Sequence, residues 1–391
     1  MNKVITTILL FSSINALAQD DIYSPVLRQI EANSQTVVAY RDKANAQQKE
    51  NHTGLTPYDP EVEFGYLWGN PSAIGNRKDI SVTQSFDFPT VYFQKSKMAD
   101  LLDEGSEWEY RQQRMELLLR AKTLLIDLTY QNALIALYEH QCDNSRQIEE
   151  AYRRKLEEGD ATQMDYNNAK LSLTAKENDL RLALNERRKI FNELRILNGG
   201  DTIVFLATSF PDVTIPADFN ALYEEAENSS PTLQYLKTKV HINNSQVGLS
   251  QASSYPKLSV GYMGEFVTGE NFQGITFGLS IPLWESKGKV RSAKAAAQAS
   301  LSAAEDARQQ YRLQLKTLYD QAVTLQETVK QYDTLLHGTG ETLLLKAFNA
   351  GELSLIHYIE QQEYYLDASH RHLDALHELA TTMALLTAFS L

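Results

Sequence analysis

His370, Asp374 and His377 stand at i, i+4 and i+7, a spacing that puts two imidazoles and a carboxylate on one face of a helix, with His372 nearby. Such a donor set suits a transition metal. A metal site also needs ligands that converge from rigid neighbours, and a polar helix face carries the same residue types without one, so the expectation is a solvated face with no metal and no cofactor. Cys142 is the only cysteine. It can close no intramolecular disulfide, and among helix-forming neighbours it reads as a small apolar side chain. The basic runs Arg153-Arg154-Lys155 and Arg187-Arg188-Lys189 lie in acidic, polar helical stretches and read as solvated faces. With no phosphate loop, zinc-hydrolase helix or nucleophile elbow in the chain, an enzyme is not expected. The formal net charge of -13 argues against nucleic acid as a partner.

The residues that could do chemistry are few, so the elements that would carry them decide the reading. Residues 1–18 have an early positive charge at Lys3, an apolar run from Val4 to Leu10, and a small-residue site at Ala16-Leu17-Ala18, the layout of a secretory signal peptide. No cysteine stands directly after the cleavage site, where Gln19 follows Ala18, so a lipid anchor is not expected. After it no apolar stretch reaches the ~18 residues that a membrane-crossing helix needs.

The remainder says the same thing twice. Asp59-Pro60-Glu61-Val62-Glu63-Phe64-Gly65-Tyr66 matches Tyr255-Pro256-Lys257-Leu258-Ser259-Val260-Gly261-Tyr262 at an offset of 196, with Pro, Gly and Tyr coincident. Phe86-Asp87-Phe88-Pro89 matches Leu279-Ser280-Ile281-Pro282 at 193, and Leu156-Glu157-Glu158-Gly159 matches Phe348-Asn349-Ala350-Gly351 at 192. A slowly drifting offset is what a duplicated unit with small loop deletions gives. The expected organisation is repeat 1 over 19–199, a linker over 200–218, and repeat 2 over 219–391.

Each repeat reads as long helices beside one β-hairpin. Val91 to Glu158 is free of proline and has apolar residues at helical intervals, predicting a helix of ~65 residues; Glu285 to Ala350 is its counterpart. Shorter helices are predicted over Ile22–Thr53 and Ala161–Leu197, then Phe219–Ser253 and Leu353–Ala388. Gly159-Asp160 and Gly351-Glu352 mark the reversals, where glycine can take the left-handed cap. The linker has a β-prone piece at Ile203–Leu206. The hairpins, at about 60–89 and 257–283, alternate: Val62, Phe64, Tyr66 and Trp68 against Glu61, Glu63 and Gly65, with Leu67 an exception; Ile275, Phe277, Leu279 and Ile281 against Thr276, Gly278 and Ser280.

An open sheet edge in lipid leaves backbone groups unpaired at several kcal/mol each, so such a sheet must close. Closed barrels begin at ~8 strands, and four per chain require subunits to pool them. Three copies give ~12 strands, whereas two would give a barrel filled by its own side chains. Tyr58, Trp68, Tyr92, Phe93, Phe266 and Trp284 lie near strand ends, where amphipathic rings favour the bilayer interface.

A signal peptide, two repeats, an inserted hairpin in each and long paired helices together resemble the TolC family of outer-membrane efflux proteins. The most specific stretches are Tyr255–Tyr262, Leu279-Ser280-Ile281-Pro282-Leu283-Trp284 and Ala350-Gly351-Glu352-Leu353-Ser354-Leu355. The resemblance covers essentially the whole mature chain. It implies a mainly α fold with a membrane β-barrel contribution: a homotrimer with a 12-stranded barrel in the outer membrane and a helical tunnel across the periplasm, coupled through a periplasmic adaptor protein to an inner-membrane efflux pump. It also implies a constricted periplasmic end lined by acidic residues just after the second reversal. The family's acid-x-x-acid pattern falls on His357-Tyr358-Ile359-Glu360, so Glu360 keeps a carboxylate and His357 departs from the pattern; the first-repeat equivalent is Asp165-Tyr166-Asn167-Asn168. The implied gate candidates are Glu360, His357, Asp165 and Asn168, and the implied adaptor contacts are Gly159, Asp160, Gly351 and Glu352. The other reading, a secreted coiled-coil structural or adhesion protein, fits polar loops and alternating strands but gives no reason for a duplicated hairpin with aromatic strand ends.

Overall fold

The computed structural model describes residues 22–284, 287–336 and 340–391. The signal segment 1–18 and Glu285, the expected start of the second long helix, lie outside the described residues. In chain order the elements are α1 (Ser24–Asn33), α2 (Gln35–Asn51), β1 (Glu61–Leu67), β2 (Arg77–Phe86), α3 (Pro89–Glu158), α4 (Gln163–Leu197), α5 (Phe219–Ser229), α6 (Pro231–Ala252), β3 (Lys257–Val267), β4 (Glu270–Ser280), α7 (Lys289–Leu336), α8 (Gly340–Asn349) and α9 (Leu355–Leu386). α3 has 70 residues and is about 105 Å long at 1.5 Å per residue. Its one glycine, Gly105, faces α6: a Cβ there would sit 3.3 Å from Ile242 Cδ1, tighter than ordinary contact.

Two of the expected short helices are broken. Ile22–Thr53 is α1 and α2, parted at Ser34, whose backbone turns extended (φ -69°, ψ 113°). Phe219–Ser253 is α5 and α6, parted at Ser230 (φ -62°, ψ 116°), whose hydroxyl caps α6 by accepting from Leu233 N ahead of Pro231. Ser34 and Ser230 stand at the same offset of 196 as the Pro-Gly-Tyr match, so the two expected repeats break at equivalent positions. The second long helix is α7 followed by α8. Ile203–Leu206 forms no strand. Ile203 and Phe205 are buried while Val204 and Leu206 are exposed, an extended alternation that pairs with no neighbouring strand among the described residues.

The chain packs as two compact units, and each draws on both repeats. One gathers the residues up to Ser34, Arg120–Thr214 and Thr324–Thr381. Its core holds Ile30, Leu125, Ile126, Leu128 and Leu194. Tyr23 stacks on Phe205 at 5.9 Å, and the Asn33 amide donates to Asn198 Oδ1 at 3.1 Å, tying the start of α1 to the linker and its end to the C-cap of α4. The other unit, Gln35–Leu119, Ile215–Val323 and Thr382–Leu391, holds all four strands. Leu222, Ala226, Leu315 and Leu386 form a buried cluster there, and Arg41–Glu107 (2.9 Å) and Lys43–Glu109 (2.7 Å) link α2 to α3.

Candidate functional site

The strands form one antiparallel sheet in the order β1-β2-β3-β4. β2 and β3 come from different repeats, and their register, from Lys78 opposite Phe266 to Phe86 opposite Leu258, joins the two hairpins. The register also aligns the faces. Val62, Val82, Tyr262 and Ile275 lie in one row across the sheet, and Val260 with Phe277 and Leu258 with Leu279 extend that side. This apolar face is uncovered: Phe64 is 70 %, Ile275 71 % and Phe277 83 % exposed. The opposite face carries Glu63, Ser81, Thr83, Ser259, Gly261, Thr276 and Gly278. Arg77 pairs there with Asp79 (2.7 Å) and with Glu265 on the neighbouring strand. Among the described residues neither β1 nor β4 has a partner on its outer side. Trp68 and Trp284 are exposed just beyond the strand ends, as are Tyr58 and Phe93.

The two reversals are built alike. After α3, Gly159 takes φ +83° and Asp160 N donates back to Lys155 O at 2.7 Å; after α8, Gly351 takes φ +77° and Glu352 N donates to Ala347 O at 3.0 Å. Both are the six-to-one bond of a Schellman cap. A Cβ on either glycine would meet nothing within 4 Å, so glycine is required there by backbone conformation alone. Asp160 and Glu352 are exposed at these tips.

Immediately beyond, the gate candidates separate by role. Thr162 caps α4 and forms a capping box with Asp165: Asp165 N donates to Thr162 Oγ1 at 3.2 Å, and the Asp165 carboxylate accepts from Thr162 Oγ1 at 2.7 Å and Thr162 N at 3.0 Å. The hydroxyl bond first and the backbone bond second hold Asp165 below the usual carboxylate range. In the second repeat Ser354 and His357 take the same positions. Ser354 Oγ accepts from His357 N at 3.4 Å and lies 2.9 Å from His357 Nδ1. His357 therefore replaces a capping acid. Glu360 is exposed on the next turn and makes no hydrogen bond or ion pair among the described residues, while its equivalent, Asn168, is half-buried and uncharged. Of the four candidates, Glu360 is the carboxylate left free.

The metal candidates do not converge. His377 Nε2 lies 2.6 Å from Asp127 Oδ1 on α3, Asp374 accepts from Tyr130 OH at 2.6 Å, and His370 packs edge-on against Tyr138. His372 Nε2 is 2.9 Å from Asp333 on α7, out of line for a hydrogen bond. Among the described residues no group of three could hold a metal ion. Burial first, and then the bond to Asp374, push the Tyr130 phenol far above its ordinary value; burial and the Asp179 charge push Tyr138 up to about 12. Cys142 is buried, with its thiol pushed up by burial first.

Two contacts near the tips lie beyond what sequence reasoning found. Lys176 on α4 is buried and bonds Glu363 on α9 at 2.6 Å, and Gln362 donates to Gln141 on α3 at 2.8 Å in a buried position. The only available signal was a lysine placed on the otherwise apolar face of α4, opposite an acid in the other repeat.

Neither a protein-family model nor a curated protein matches the chain. Solved structures do. The open state of the Neisseria gonorrhoeae MtrE outer membrane channel matches with a TM-score of 0.77 at 13 % identity, over 94 % of this chain and 89 % of that one. The CusC structure, solved in a study of its folding and transmembrane channel formation, matches at 0.77 and 14 % identity, over 95 % and 92 %. The Campylobacter jejuni CmeC outer membrane channel matches at 0.69 and 15 % identity, over 95 % and 85 %. The fold of this chain is thus the fold of solved outer-membrane channels. In particular it is the fold of the TolC family's channels, matched over 95 % of the chain.

Proposed function

We propose that this chain is the outer-membrane exit duct of a tripartite efflux system, a passive channel that carries substrates across the periplasm and outer membrane with no catalytic step of its own. One observation carries the reading: the sheet presents an uncovered apolar face and, among the described residues, two unpaired edges. In water that arrangement is an aggregation template. In lipid the apolar face is satisfied, and the edges require closure. Because the strand number is even, β4 of one copy meets β1 of the next in antiparallel sense, and three copies close a cylinder of 12 strands with the face bearing Arg77, Asp79 and Glu265 turned inward. The trimer then sits in outer-membrane lipid, with its helices in the periplasm.

The reversal tips, with Gly159, Asp160, Gly351 and Glu352, are the surfaces offered to a periplasmic adaptor protein, which links the duct to an inner-membrane efflux pump. Threefold symmetry turns Glu360 into a ring of free carboxylates that favours cations, with a ring of imidazoles at His357 one turn before it. Asp165 and Asn168 line the same level but contribute less: one carboxylate is held by its cap and the other side chain is an amide. Native mass measurement of the detergent-extracted protein from outer-membrane fractions tests the assembly, and a soluble, folded monomer would overturn it. Glu360→Gln in planar-bilayer conductance should lower cation preference while Asp165→Asn changes it little. Equal effects would refute the assignment of Glu360.

A further inference from the structure

We infer that the outer end of the sheet's apolar face is a docking site for the phosphate of an anionic lipid headgroup, held by the Lys78 ammonium with the Tyr66 hydroxyl beside it. The inference rests on the reading that this face meets lipid, and adds to it a headgroup chemistry. The register sorts the charges of the strands by face. Glu61, Glu63, Asp79, Glu265 and Glu270 all lie on the side that carries Arg77 and Lys257, whereas the apolar side holds a single charged strand residue, Lys78. The other two cations are occupied: Arg77 pairs with Asp79 and Glu265, and the Lys257 ammonium sits over the Tyr58 ring at 5.7 Å. Lys78 is exposed and has no hydrogen bond or ion pair among the described residues.

Position selects the ligand. Lys78 stands in a row with Tyr66 on β1, Phe266 on β3 and Asn271 on β4, at the end of the sheet away from the helices and next to the loop 68–76. Eight residues of β2 separate it from Phe86 at the other end, about 27 Å along the strand and about 20 Å of height at the tilt of a barrel strand. The apolar band of such a barrel is about 25 Å tall, so Lys78 falls at its rim, where lipid tails give way to headgroups. A second copy does not cover it. β2 is an inner strand, flanked by β1 and β3 of its own chain, and copies that close a cylinder meet at the edges β1 and β4. Tyr66 supplies a second donor: its hydroxyl accepts from Asn76 Nδ2 at 2.7 Å and keeps its own hydrogen to give. Directly opposed residues on neighbouring strands have Cβ atoms about 5 Å apart, so one phosphate can take both donors. The fold does not demand the lysine. At the offset of 193 its equivalent is Asn271, in the same row and uncharged, so each chain offers one such site.

The test is native mass spectrometry of the full chain in detergent micelles with diphosphorylated lipid A, and separately with the same lipid stripped of its phosphates. The phosphorylated form should be retained about tenfold better than the stripped one. Lys78→Gln should abolish that preference at an unchanged assembly mass, and Lys78→Arg should keep it. Tyr66→Phe, which retains the ring, should weaken the preference severalfold, and it decides the case if Lys78→Gln does not assemble. A lysine that only marks the depth of the sheet in the bilayer would be indifferent to the phosphates. Equal retention of the two lipids, or a preference that survives Lys78→Gln or is untouched by Tyr66→Phe, would therefore overturn the inference and leave the channel reading standing. A soluble monomer that takes up no lipid would overturn both.

Discussion

Ile275 sits at the centre of β4, five residues from either end, 71 % exposed on the apolar face and in register with Tyr262. Its neighbour Gly274 points to the polar face, opposite Met263, and a Cβ built there meets nothing within 4 Å. Ile275→Arg and Gly274→Arg thus add the same charge one residue apart on opposite sides of one strand. If the apolar face meets lipid, arginine at the bilayer midplane costs about 2–4 kcal/mol per chain, and the water-filled side costs little. At 1.4 kcal/mol per decade that is about 30- to 700-fold per chain, compounded threefold in a trimer to about 6–12 kcal/mol. Outer-membrane fractionation, followed by electrophoresis of unheated samples, should show Gly274→Arg assembled and Ile275→Arg depleted. Equal assembly of the two, or better yield from Ile275→Arg, would refute the assignment of this face to lipid.

Five further outcomes are expected. Gly159→Ala and Gly351→Ala, each forced to keep a left-handed backbone in otherwise open space, should each cost about 1–2 kcal/mol and raise hydrogen exchange at the reversals, read by mass spectrometry. Glu363→Ala leaves the Lys176 ammonium buried without its partner and should lower stability by about 1–3 kcal/mol, whereas Lys176→Met should come close to neutral, measured by denaturant titration. Thr162→Ala should cost about 1 kcal/mol. The Asp165 pKa is depressed in the folded state, so its contribution to α4 is complete above the ordinary carboxylate value of 3.8 and is lost as pH falls; Asp165→Asn should flatten that acid limb in a melting series. Tyr138 behaves oppositely. Its raised pKa leaves its contribution complete below pH 10 and eroding toward pH 12, so Tyr138→Phe should flatten the alkaline limb.

The strand faces were legible because they are periodic: alternation, broken only locally as at Leu67, fixes which side chains share a face. The reversal glycines were legible for a different reason, since a left-handed cap leaves one residue type as the economical choice. The helix breaks were harder. Ser230-Pro231 announces itself, but Ser34-Gln35 does not, and only its equivalence with Ser230 exposes it. The pairing of β2 with β3 is a long-range choice that no local pattern encodes. At the candidate gate, residue types marked helix turns but not the partners of their side chains. Asp165 and Glu360 look alike in sequence, yet a threonine three residues upstream occupies one carboxylate and leaves the other free. Ile203–Leu206 has strand-like alternation but no adjacent strand to complete a ladder, and so stays extended and unpaired.

The register that joins β2 to β3 also bears on ancestry. A half-length forerunner, carrying a single hairpin, would have had to find both of its neighbours in solution, so a ring of the same circumference would have needed six separate polypeptides and six diffusional encounters. In the trimer proposed above, carrying two hairpins in one chain tethers every second seam at the high local concentration of a covalent link and leaves only three to be found by collision. The two halves were then free to diverge, as Asp165 and His357 or Leu171 and Glu363 have done, without the ring losing its closure.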